Sequence, residues 1–245
     1  LIYYPVEKMC SYMTDVLLTI NKEDFALAKS KMKAKRVLYV PGVGVDTEKF
    51  DSDQVHKSIK GELGIPNGAT MILSIGELNE NKNHESVIRA LAEIGQTVST
   101  NIYYVIVGKG VLEEKLKRTA AESGLEEQII LTGFRTDVID FYHSADIFVF
   151  PSYREGLSVA LMEAMASGLP IAASHIRGNC DLIDLQGGNL FNPHDVSDIQ
   201  KKVLDLLSLP DVELKKMGTH NKEKIKNFSR NVVQKTMTEI YKDIS

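Results

Sequence analysis

The sequence predicts an α/β protein built on a doubly wound parallel sheet, preceded by a truncated second α/β unit. Three observations carry this reading. Short β-branched runs recur, namely MILSIG, IYYVIVG, IILTG, DIFVFPS and LPIAAS. Each is closed by a turn signal and followed by a segment of helical periodicity. The runs are apolar on consecutive positions, so both faces need cover, as in a Rossmann-like sheet with helices on each side. In such sheets ligands bind beyond the strand C-termini.

Taken in order, VEKMCSYM predicts a helix, DVLLTI a strand, Asn21 to about Lys33 a second helix and RVLYV a second strand. Residues 1–40 are therefore half of another α/β unit. The opening LIYYPVEKMCSYM has no basic segment followed by an apolar one, so it does not read as a signal peptide, and it is expected to continue something longer. PGVGVDT, positions 41 to 47, stacks Pro, Gly and Asp as a loop or hinge. The main unit is set at residues 41–220, with its body from about Val55 to Leu207. Its helices are expected over His84–Gly95, Val111–Ser123, Asp137–Ser144 and Ser158–Ser167, most ending at or near Gly. A charged, amphipathic tail after Pro210 predicts a long helix or a helix pair. Its last part, residues 221–245, is expected to pack back toward the N-terminal part.

The 245 residues include 43% hydrophobic residues and carry a formal net charge of −4. That is an ordinary globular composition with no basic field to hold nucleic acid. The apolar runs are far shorter than the roughly 20 residues of a membrane-spanning helix. The only cysteines, Cys10 and Cys180, have no metal-ligand spacing and read as buried or incidental thiols of a reducing compartment.

The chemistry concentrates in REGLSVALME, residues 154–163. Ser158 can cap a helix whose interior is rich in Ala, Leu and Met and which closes at Gly168 and Pro170. The free N–H groups from Gly156, Leu157 and Ser158 onward would then face the crevice and suit a phosphate. Glu163, about a turn and a half into the helix, can accept hydrogen bonds from ribose hydroxyls. Glu155, in the loop before it, can reach a second sugar beyond the phosphates. The plainer reading makes both carboxylates complements to the helix dipole, worth about 0.3–1 kcal/mol each.

The stretch REGLSVALMEAMASGLPIAAS resembles the paired-glutamate signature of family-four retaining glycosyltransferases, which have the two-domain GT-B fold. SIGELNENKNHESVIRAL resembles the first strand, loop and helix of that family's nucleotide-sugar domain, and LTGFRTDVIDFYHSADIFVFPS its base-binding region. The likeness runs from about Val37 to the end. SHIRGNCDLID and GELNENKNH are most similar to the bacterial enzymes of capsular and exopolysaccharide synthesis. The resemblance implies that Glu155 contacts the donor sugar, as the catalytic-site carboxylate, and Glu163 the ribose. It also implies that Gly133, Phe134 and Arg135 hold the base. The family binds the diphosphate with an Arg after the first glycine of the domain and a Lys a few residues on. Here Gly76 is followed by Glu77, and Lys82 stands in the lysine's place, so Glu77 must face away or pair with Lys82.

Several other patterns are set aside. Asp51-Ser52-Asp53 spells a metal-binding D-x-D but follows the hinge, and reads as a helix-capping run. GVG and GKG lack the rest of the dinucleotide fingerprint, and no catalytic-triad order or H-E-x-x-H spacing occurs. A lone His175 after IAAS reads as structural. No metal and no cofactor are implied. What the resemblance implies is transfer of a sugar, with retention, from a UDP- or GDP-type nucleotide sugar to a glycan or lipid-linked acceptor in polysaccharide synthesis. It places the enzyme in the cytoplasm and leaves open a peripheral contact with the inner membrane face through the N-terminal domain. Because residues 1–40 hold only the last fragment of an acceptor domain, the alternatives are a donor-binding fragment without activity and, with the same fold, a nucleotide-sugar epimerase.

Overall fold

The structure, a computed structural model, describes residues 3–51, 56–97 and 101–244. Eight strands fall in chain order: β1 (Val16–Thr19), β2 (Arg36–Tyr39), β3 (Thr70–Ile75), β4 (Ile102–Val107), β5 (Ile129–Gly133), β6 (Ile147–Phe150), β7 (Ile171–Ser174) and β8 (Gly188–Phe191). β1 and β2 form a small parallel sheet, and the other six form a parallel sheet in the order β5-β4-β3-β6-β7-β8. From β3 the chain winds outward through β4 to β5. It then returns to the centre and winds the other way, from β6 to β8. The switch between β3 and β6 opens a crevice at their C-terminal ends.

Alternation along the strands splits the core into two layers. Met71, Leu73, Val105, Val107, Phe148 and Phe150 face one side with the helices Val138–Ser144 and Val159–Ala166. Ile72, Tyr104, Ile106, Ile147 and Val149 face the other with the helices His84–Thr97, Glu113–Glu122 and Val196–Leu207. Consecutive apolar residues in the sequence thus serve opposite faces of one sheet.

β8 is not anticipated by apolar patterning, since GNLF offers only two apolar residues. Pairing with β7 across a glycine that leaves no room for a side chain makes it a strand: a Cβ on Gly188 would lie 2.1 Å from the Ile171 carbonyl oxygen. The first helix is Tyr3–Ser11, three residues earlier than its sequence reading, with Pro5 in the first turn where a missing N–H costs no hydrogen bond. Asp51 ends the helix Thr47–Phe50 and pairs with Lys222, whereas Ser52 and Asp53 lie outside the described residues. Both cysteines are exposed and free, not buried.

Beyond Pro210 the tail is a helix pair, Asp211–Ile225 and Arg230–Ile244, joined by a 3₁₀ turn. At that junction Val45 N–H donates to the Phe228 carbonyl at 3.0 Å and Arg230 N–H to the Val45 carbonyl at 2.9 Å. The last helix then reaches the small sheet, where Arg36 meets Asp243 at 2.5 Å. Asn221 pins the first tail helix: fully buried, its Nδ2 donates to the Leu169 and Gly187 carbonyls, both at 2.8 Å. Asn221→Ala would leave the Leu169 carbonyl without its donor and the Gly187 carbonyl with Ile171 N–H alone, at a cost of about 1–3 kcal/mol. Its melting temperature should fall well below the wild type's, whereas the control Asn227→Ala on the exposed side should barely move it; equal shifts would contradict the pin.

Candidate functional site

The crevice floor is made of backbone. Gly76 N–H donates to Val107 at 3.0 Å and Gly108 N–H to Gly133 at 2.9 Å, which knits the ends of β3, β4 and β5 together. Gly108 has φ +154°, and a Cβ there would lie 1.9 Å from the Gly76 carbonyl oxygen. A ligand can therefore approach the peptide groups themselves. Phe134, 71% exposed, stands at the rim, and Lys109 lies beside Gly133 with no ion pair among the described residues. Sequence reasoning missed Lys109, because GKG was weighed only as a dinucleotide fingerprint.

Arg135 has a different occupation. Its guanidinium donates to Glu62 at 2.7 and 3.2 Å and to Asp137 at 2.8 and 2.5 Å, and stacks over Phe141. Arg135, and after it Lys57 at 2.6 Å, holds the Glu62 carboxyl down to about 2. Arg135 thus fastens the loop after β5 to the helix Ile59–Glu62, with its guanidinium engaged by carboxylates of the chain itself.

On the other side of the switch, β6 runs into the loop 151–158 and the helix Val159–Ala166. Ser158 is its N-cap, accepting from Leu161 N–H at 3.4 Å. The N–H groups of Gly156, Leu157, Ser158, Val159 and Ala160 have no acceptor among the described residues. They are the free donors that an anion satisfies. Their loop is held from behind. Asn21 Nδ2 donates to the Gly156 carbonyl at 3.3 Å, and Gly178, at φ +79°, lets the chain pass where a Cβ would be 2.0 Å from that same oxygen. Lys22 N–H on Asp181 and Arg177 on Asp24, both at 2.7 Å, join the small unit to this side of the crevice.

Lys82, on the loop after β3, and Glu155, on the loop after β6, meet at 2.7 Å with side chains 21% and 16% exposed. Lys82 also lies over the Phe150 ring. Of the two arrangements open to Glu77, the structure shows the one facing away: its carboxylate accepts from Asn79 Nδ2 at 3.0 Å. The loops are stitched by Asn81, whose Nδ2 donates to the Arg154 carbonyl at 3.0 Å and whose carbonyl accepts Tyr153 N–H at 2.8 Å. Asn81 Oδ1 and Ser152 Oγ, both buried atoms in these loops, make no hydrogen bond among the described residues. Beneath them His84 Nδ1 meets the Tyr104 hydroxyl at 3.1 Å, which meets Ser74 Oγ at 2.8 Å. Burial, then the charge of Lys82, pushes His84 down to about 3, so the relay is neutral.

A hollow of about 490 Å³ lies at the opposite ends of the strands, around Thr70, Ile147 and Pro170. Its Lys60 is paired to Asp146 at 2.6 Å, which also accepts Met71 N–H. Those charges are consumed by the fold, whereas the C-terminal crevice presents free donors.

The residues 55–225 match the family described as glycosyl transferases group 1. The chain belongs to that family. A relative from Bacillus subtilis, described as the candidate glycosyltransferase EpsD, is 30% identical over 245 residues, covering 98% of this chain and 64% of its own. An Escherichia coli UDP-Gal:α-D-GlcNAc-diphosphoundecaprenol α-1,3-galactosyltransferase is 28% identical, with 85% and 57% covered. The chain thus spans less than two thirds of either relative. Among solved structures, HepE of Anabaena with UDP and glucose superposes with TM-score 0.86 at 16% identity, over 98% of this chain and 66% of its own. A glycosyltransferase of Rickettsia africae gives TM-score 0.86 at 19% identity, over 99% and 66%. The fold is GT-B. No helix among the described residues is long and apolar enough to cross a membrane.

Glu163 lies on the far flank of the signature helix, half-buried, with its Oε2 accepting from the Tyr142 hydroxyl at 3.1 Å. Tyr142, a residue without a sequence motif, also donates to the Ala160 carbonyl at 3.0 Å and so sets the carboxylate against the helix. Burial raises the Glu163 carboxyl above its ordinary value, while Tyr142, Lys49 and Arg230 pull the other way. A carboxyl raised in the folded state contributes stability in acid that is lost as pH rises through the folded pKa. Glu163→Gln should therefore raise the melting temperature by a few degrees at about pH 7. The gain should shrink as pH falls through the carboxylate range; a gain independent of pH would contradict a buried charge here.

Proposed function

We propose that the chain carries the donor side of a retaining glycosyltransferase that moves a sugar from a UDP- or GDP-type nucleoside diphosphate sugar to a glycan or lipid-linked acceptor in polysaccharide biosynthesis. The observation that carries this is the juxtaposition, across the β3–β6 switch, of five free N–H groups with Lys82 and Glu155. The N–H groups and Lys82 supply positive potential for the diphosphate as its charge grows on leaving. Glu163 takes the ribose hydroxyls, and Gly133 and Phe134 the base. Glu155 orients the transferred sugar and faces the oxocarbenium-like charge at its anomeric carbon.

In this reading residues 41–220 are the nucleotide-sugar domain, and residues 1–40 with the helix of residues 221–245 form the edge of an acceptor domain. Donor binding is assigned to the residues described; transfer is assigned to a chain of the relatives' full length. The HepE structures hold UDP or UDP-glucose, which supports a uridine donor. The E. coli relative's name specifies a lipid-linked acceptor, which supports that acceptor class.

Calorimetry with UDP, GDP and ADP and their sugars tests the donor cleft. One nucleotide series should bind. Glu163→Gln should weaken that binding about tenfold or more, the loss of a hydrogen bond to a charged acceptor. Binding of none of the three series, or undiminished affinity in the variant, would refute the assignment.

A further inference from the structure

We propose that the Lys82–Glu155 pair is a substrate-gated lock: it admits a nucleoside diphosphate sugar but disfavours the bare nucleoside diphosphate that remains after transfer. The proposal rests on the donor-cleft reading above and adds a specificity role to two of its residues.

The geometry of the pair sets the argument. Lys82 Nζ is 2.7 Å from Glu155 Oε1, and both side chains are largely withdrawn from water. When a diphosphate draws Lys82 away, Glu155 is left as a partly buried carboxylate that has lost its cation. An ionised group stranded in this way is costly, far more than an exposed pair would be. A nucleotide sugar brings its own remedy, since the sugar's hydroxyls can donate to Glu155 in place of the ammonium. A bare nucleoside diphosphate brings none. Its terminal phosphate adds negative charge beside Glu155 instead.

The backbone around the pair is fixed, which confines the exchange to side chains. Lys82 N–H is capped by Asn79 Oδ1 at 3.1 Å. The next residue, Asn83, is buried at φ 52° and donates to the Pro151 and Pro193 carbonyls at 3.2 and 3.0 Å. Asn81 ties the same loop to Arg154 and Tyr153. Glu77, bonded to Asn79, offers Lys82 no second anion to return to. Lys82 therefore has two partners to choose between, Glu155 and the diphosphate. The choice is coupled to whether a sugar is attached.

The test is calorimetric titration with UDP, GDP and ADP, each beside UDP-glucose, GDP-mannose and ADP-glucose. In the wild type the nucleotide sugar should bind at least about threefold tighter than its own nucleoside diphosphate. Glu155→Gln keeps a carbonyl acceptor but removes the charge; it should bind the nucleoside diphosphate about fivefold tighter than the wild type and lose the preference for the sugar form. Glu155→Asp keeps the charge and should not gain. A folded Glu155→Gln protein, judged by its melting curve, that binds the nucleoside diphosphate no tighter than the wild type overturns the lock. If that variant does not fold, the wild type decides alone: preference for the bare nucleoside diphosphate overturns it. Failure of the wild type to bind any of the six refutes the donor cleft itself, a result distinct from binding without the gain.

Discussion

The direction in which a parallel sheet is wound governs most of what this chain can do. Every strand of the large sheet points the same way, so every connection must cross a face and every C-terminal loop must emerge on one side. Winding outward from β3 and then from β6 places the loops after those two strands next to each other with their helices on opposite faces. Lys82 and Glu155, 73 residues apart in sequence, meet because of it. The signature helix starts there too, with its first N–H groups free.

The cleft is also where the fold gives up stability. Protein interiors seldom leave polar atoms unpaired, yet Asn81 Oδ1 and Ser152 Oγ are buried without partners in the loops that carry the pair. Glu163 is held where burial works against its charge, and among the described residues only the Tyr142 hydroxyl bonds to its carboxylate. Against this, the surroundings are over-determined. Asn21, Gly178 and Asn83 each fix one stretch of loop backbone, and the neutral His84–Tyr104–Ser74 relay supports the first turn after Lys82. Rigid loops around under-satisfied groups are the arrangement a preorganised binding site needs.

Much of this was legible in the chain itself. Five strands announce themselves because both their faces are covered, and Ser158 is read as a cap because a hydroxyl directly precedes a strong helix former's run. β8 was not legible: its two apolar residues become a strand only through their place beside β7. Nor was the use of Arg135. Its bond with Glu62, 73 residues earlier, is a tertiary contact that no local pattern announces. Lys109, Tyr142 and Asn21 owe their places to what the sheet order or the small unit brings next to them. The two glutamates were visible as a pair, but Lys82 was set beside the diphosphate or Glu77, not beside Glu155. Its standing bond with Lys82 is a tertiary fact.

The central claim is that a diphosphate is held between the start of the signature helix and Lys82. A crystal structure of the chain with a bound nucleoside diphosphate sugar tests it most directly. The account predicts phosphate oxygens within about 3 Å of N–H groups between Gly156 and Ala160 and of Lys82 Nζ, with the ribose hydroxyls on Glu163. A diphosphate found elsewhere, for example in the hollow beside Thr70 and Pro170, with Lys82 still on Glu155, would contradict it.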